Sequence, residues 1–70
     1  MTFKQFFNLY TYACRVKRSD QRDGQILYNM LWYARHDLSS KLTVAGLDPF
    51  YVESRVPRAI DWIQLNWSTK

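Results

Sequence analysis

Seventy residues allow one domain, 1–70, with a core near the lower limit of what holds a fold without disulfides, metal or oligomerisation. Ten Lys and Arg against six Asp and Glu leave a net charge of +4, enough to attract anionic partners but less than a dedicated nucleic-acid binder often carries. The single Cys14 excludes an intramolecular disulfide and fits a reducing compartment, and no apolar run reaches the ~18 residues of a membrane span. The N-terminus lacks the basic-then-apolar order of a signal peptide, so the expectation is an intracellular protein without membrane contact. An aromatic fraction of 17 % offsets the small size. Each buried ring removes roughly 150–250 Å² from water. A compact monomer is therefore feasible, and a homodimer is compatible with the composition.

Thr2 is placed to cap a first helix from Phe3 to about Arg18. At ~100° per residue, Phe3, Phe6, Phe7, Tyr10, Ala13 and Cys14 share one side, and Lys4, Asn8, Thr11, Arg15 and Arg18 the other. Arg15, Lys17 and Arg18 suit the negative end of the helix dipole. Ser19 and Asp20 end this helix and can cap the next, which the pattern predicts from Gln21 to Arg35.

That second helix is the centre of the chain. Eight of the nine residues Ile26 to Ala34 are apolar or aromatic, Asn29 alone interrupting. A helix apolar on nearly every side has to be covered on nearly every side, by the rest of the chain or by a partner. Gly24 costs about 1 kcal/mol relative to Ala inside a helix, which points to a frayed first turn or to close approach of another backbone. Leu27, Leu31, Ala34 and Leu38 form one stripe, and Ile26, Met30 and Tyr33 a second. Tyr28 and Trp32 form a third, either buried under the C-terminal helix or offered to a partner.

Asp37 or Ser39 can cap a short third helix from Leu38 to about Ala45, with Gly46 as its stop. Asp48-Pro49 favours a turn, and Phe50 and Tyr51 can pin it to the core. Ser54 can cap a last helix, in whose first turn Pro57 is tolerated. Val56, Ala59, Ile60, Ile63 and Trp67 form its core stripe, Trp62 and Leu65 lie off it, and Arg58 stands four residues before Trp62, where a guanidinium can lie over an indole. The pattern is that of an all-α bundle of three to four short helices around a central hydrophobic helix.

The chemistry-bearing residues do not assemble into a reaction centre. His36 has no metal-ligand spacing with Cys14 or any acid, Cys14 falls on an apolar face, and the acids are scattered in capping and turn positions. No glycine-rich phosphate loop is present. The expectation is a non-enzyme with no cofactor and no metal.

Two binding chemistries remain. Tyr28, Trp32, Arg58, Trp62 and Leu65 are candidate anchors for a protein partner, since aromatics and arginine dominate interface hot spots. Alternatively Arg15, Lys17, Arg18 and Arg22 form a basic patch able to hold DNA or RNA phosphates. Ala45 to Asp48 followed by Val52, Ser54, Arg55 and Val56 also resembles the turn and recognition helix of repressor-type domains. That match is degenerate: it carries one residue too many before Ser54, Arg55 stands where a core residue is expected, and Pro57 would end the recognition helix early.

Finally, Arg22, Gly24-Gln25, Asn29 and Leu31, then Asp37-Leu38, Asp48-Pro49-Phe50-Tyr51, Arg55-Val56-Pro57, Trp62-Ile63 and Asn66-Trp67, resemble a set of small proteins of tailed phages and prophages. Their pattern is an Arg-x-Gly-Gln helix start, an Asp-Pro-Phe-Tyr turn and a closing tryptophan-bearing helix. The resemblance covers about residues 20 to 67 and carries over no catalytic residue. It implies that the turn packs near the start of the central helix. By analogy it also implies an accessory protein in the host cytoplasm that binds and modulates a host or phage protein, such as a defence or takeover target.

Overall fold

The first helix starts where the sequence places it. Thr2 accepts a hydrogen bond from the Gln5 backbone at 3.1 Å, while the Gln5 side chain accepts from the Thr2 backbone at 2.9 Å. Two of the otherwise orphaned donors at a helix N-terminus are thereby satisfied. The structure is a computed structural model that describes residues 1–17 and 20–68. It contains α1 (Phe3–Val16), α2 (Asp23–Ala34), α3 (His36–Val44), a 3₁₀ turn (Glu53–Arg55) and α4 (Val56–Asn66). The fold is all-α, with no strand among the described residues. The expected extension of α1 to Arg18, the Ser19 cap and the end of the C-terminal tail lie outside the described residues.

One hydrophobic core joins all four helices. Phe6 and Tyr10 come from α1, Ile26, Leu27 and Leu31 from α2, Leu38 and Leu42 from α3, Ala59 and Ile63 from α4, and Trp67 follows α4. Val56 and Ile60 of the predicted α4 stripe pack against it at half burial. Trp67 ties the chain's two ends together. Its indole N–H donates to the Met1 carbonyl at 3.0 Å, and its ring lies 5.1 Å from Phe6 and 6.0 Å from Phe3.

Two expected helix starts shift, each for a visible reason. α3 begins at His36, directly after Arg35, whose φ of −145° and ψ of 77° break the helical path between α2 and α3. Neither Asp37 nor Ser39 therefore caps α3; Asp37 lies in its first turn and its side chain accepts from Arg35 instead. Ser54 does not cap α4 either, because it lies inside the 3₁₀ turn. Gly46 does stop α3: at φ 76° its N–H donates to Thr43 and that of Leu47 to Leu42, the pairing that closes a helix C-terminus in a left-handed turn.

The start of α2 and the turn after α3 form one unit. A Cβ at Gly24 would sit 2.2 Å from the Pro49 carbonyl oxygen, so only glycine admits this backbone contact. Across the same junction the Glu53 carboxylate accepts from the backbone N–H groups of Gly24 and Asp23, at 2.9 and 3.2 Å. It thus supplies the anionic cap that α2 lacks locally, since the N-cap residue is Arg22. Arg22 donates to the Phe50 carbonyl at 3.0 Å, Arg55 to that of Asp48 at 3.2 Å, and the Asp48 carboxylate accepts from the Phe50 N–H at 2.9 Å. Pro49 is fully buried in this junction.

Candidate protein-docking surface

The aromatic anchors expected from the sequence do not form a single patch. Tyr28 is half-buried, meets Phe50 edge-on at 6.0 Å and places its hydroxyl 3.4 Å from that of Thr43, so it holds the 48–51 turn. Trp62 is half-buried against the core. Arg58 is exposed, and the guanidinium over an indole is that of Arg35, 5.1 Å from the Trp67 ring centre, not Arg58 over Trp62. Leu65, on the outer side of α4, is 79 % exposed. No ring contact among the described residues joins Tyr28 or Trp32 to α4.

Trp32 is the predicted aromatic anchor that stands clear of the core. It is 46 % exposed and held edge-on by two neighbours, His36 at 4.8 Å and Tyr33 at 5.5 Å. Helical spacing sets this cluster: Trp32 and His36 are four residues apart across the Arg35 break, and Tyr33 adjoins Trp32 in sequence. α2 is thus covered on its α3 and α4 sides, while Trp32 and Tyr33 face water, so the chain by itself does not cover it all round. Tyr51 likewise stacks on Phe50, at 4.7 Å, yet stays exposed, so only one of the two turn rings pins the turn.

The basic residues are dispersed and partly committed. Lys17 forms an ion pair with Asp23 at the α1–α2 junction, Arg22 holds Phe50, and Arg15 projects from the last turn of α1. Arg18 lies outside the described residues. The Lys17 hydrogen bond holds the Asp23 carboxyl below the usual carboxylate range, and Asp23 in turn pushes the Lys17 ammonium up. The helix-turn-helix geometry is absent: residues 45–55 separate α3 from α4, where a 3–4-residue turn is needed.

Burial pushes the thiol of half-buried Cys14 up, away from the thiolate form a nucleophile needs. Burial also pushes the Tyr10 phenol up. No group of three or more His, Cys, Asp or Glu able to hold a metal ion occurs among the described residues, and no described helix is long and apolar enough to cross a membrane.

Leu9 and Val16 on α1 and Tyr33 on α2 are among the exposed apolar residues that sequence reasoning did not assign to a surface. The signal was present for α1, where Leu9 and Val16 recur seven residues apart beside the basic face. For Tyr33 it was ambiguous, because its stripe with Ile26 and Met30 is apolar enough to be core. No family model matches the chain, and no curated protein or solved structure matches it.

Proposed function

We propose that the chain is a non-enzymatic accessory protein of phage origin that binds and modulates a host or phage protein. The observation that carries this reading is Trp32, an indole left at the surface but fixed edge-on by His36 and Tyr33. A rigid surface indole brings large contact area at little cost in side-chain entropy, the property that makes tryptophan a hot-spot residue. Leu65 and Arg58 offer a separate exposed apolar and cationic surface on α4, and the net charge of +4 steers the protein towards an acidic partner surface. The resemblance to small phage proteins supports the origin by analogy.

The test is capture from a bacterial lysate on the tagged protein, with and without nuclease, at low and moderate salt. The expected result is a defined protein band that survives both treatments. Trp32→Ala then weakens that complex by about 2 kcal/mol, roughly 30-fold, with the thermal unfolding midpoint little changed. Recovery of nucleic acid alone, lost as salt rises, would overturn the reading and favour phosphate binding through Arg15, Lys17, Arg18 and Arg22.

A further inference from the structure

Arg35 stands where the helical path breaks between α2 and α3, and its side chain bridges parts of the molecule that are far apart in sequence. Its Nε and one Nη donate to the two oxygens of the Asp37 carboxylate, both at 3.0 Å, a fork onto the first turn of α3. The other Nη donates to the Trp67 carbonyl at 2.6 Å, and the guanidinium lies 5.1 Å from the centre of the Trp67 ring. Trp67 is itself fixed, by its indole N–H on the Met1 carbonyl and by its ring on Phe3 and Phe6. One side chain therefore ties the start of α3 to the place where α1 begins and α4 ends.

The same first turn of α3 holds the surface indole. His36, the first residue of α3, meets Trp32 edge-on at 4.8 Å. Residues four apart share one side of a continuous helix, but the backbone between these two leaves the helical path at Arg35. The separation of the two rings thus depends on the angle at which α3 leaves α2. Leu38 and Leu42 anchor the body of α3 in the core, whereas none of residues 35–37 is buried. The Arg35 guanidinium restrains the angle there, because it is held to α3 at Asp37 and to the end of α4 at Trp67.

We propose that Arg35 is the positioning residue of the docking indole: by tying the first turn of α3 to Trp67 it keeps His36 against Trp32 and so holds the Trp32 ring in one orientation. Affinity at Trp32 then depends on an ordering cost already met in the free protein, and it is coupled to the closure of α1 and α4 around Trp67. That consequence rests on the partner-binding reading. The fixing of the ring does not, and it is measured on the protein alone, so it can fail while a partner is captured or hold while none is.

The test is fluorine NMR of the full chain with 5-fluorotryptophan at its three tryptophans, the lines assigned by Trp32→Phe, Trp62→Phe and Trp67→Phe. In Arg35→Met the Trp32 line narrows at least about twofold and moves towards that of free 5-fluorotryptophan, as expected of an exposed ring that rotates within nanoseconds. The Trp62 line keeps its width. Arg35→Lys keeps the charge but not the fork, so it also loosens Trp32. Asp37→Asn, at a side chain 50 % exposed, narrows the Trp32 line less and serves if Arg35→Met fails to fold. A Trp32 line unchanged in the folded variants, a ring still held in Arg35→Lys, or equal narrowing of Trp62 and Trp32 would each overturn the proposal, the last by making Arg35 a general support of the fold.

Discussion

The two flanks of α2 are finished in different ways. Towards the 48–55 turn, α3 and α4, its backbone touches Pro49 at Gly24, its first N–H groups are capped by Glu53, and Leu27 and Leu31 are fully buried. Towards α1, side-chain packing and the solvent-facing Lys17–Asp23 ion pair join the helices, and an apolar groove stays open. The first flank is closed by backbone fit and directional hydrogen bonds, which accept one geometry only. The second is closed by apolar rows, whose attraction is non-directional and accepts more than one geometry.

Gly24→Ala breaks the closed flank and has the largest expected effect. With a carbonyl 2.2 Å from the added Cβ, the turn has to move, at a cost of about 3 kcal/mol. Total stability for 70 residues is roughly 3–10 kcal/mol, so the loss is plain in a urea titration. A change below about 1 kcal/mol would show that the junction yields and that the two flanks do not differ as described.

Glu53→Gln tests the capping part alone. It keeps an acceptor but removes the negative charge at the α2 N-terminus, for an expected loss of about 1 kcal/mol by the same titration. Combined with Gly24→Ala it should add less than its own value, because both changes act on one junction.

The smallest effect is expected at the α1–α2 junction under acid. Lys17 holds Asp23, and Arg35 holds Asp37, below the usual carboxylate range. A lowered folded pKa gives stabilisation that is full above the unfolded value of ~3.9 and is lost as pH falls through the folded value. Both pairs face solvent, so the urea midpoint should drop only slightly below about pH 4 on their account. Lys17→Met should remove the Asp23 share and leave that of Asp37. A midpoint whose acid dependence is unaltered in Lys17→Met would show that the ion pair plays no part in joining α1 to α2.

Much of the fold was legible because it rests on local chemistry. The Thr2 cap, the α1 core face, the Gly46 stop and the Ala59, Ile63 and Trp67 stripe follow from spacing, from a hydroxyl beside a helix start and from a glycine where φ turns positive. Gly24 was legible only in part: a glycine in a helix signals close approach, but not which backbone approaches. The candidate surface was read less well. Periodicity sorts residues onto faces, yet it cannot say which of two apolar faces on one helix the rest of the chain will reach. Tyr28 and Trp62 were spent on the turn and the core, while Leu9, Val16 and Tyr33 were left outside.

The sequence by itself determined the class, a count of three to four helices and the central place of α2, because these depend on capping and on a 3.6-residue period along one segment. Only the tertiary structure decided that Glu53 caps α2 from thirty residues away, that Arg35 rather than Arg58 covers an indole, and that a groove stays open beside α1. Those outcomes depend on where distant segments meet in space. Which apolar row is left over is fixed by where the other helices pack rather than by any one helix.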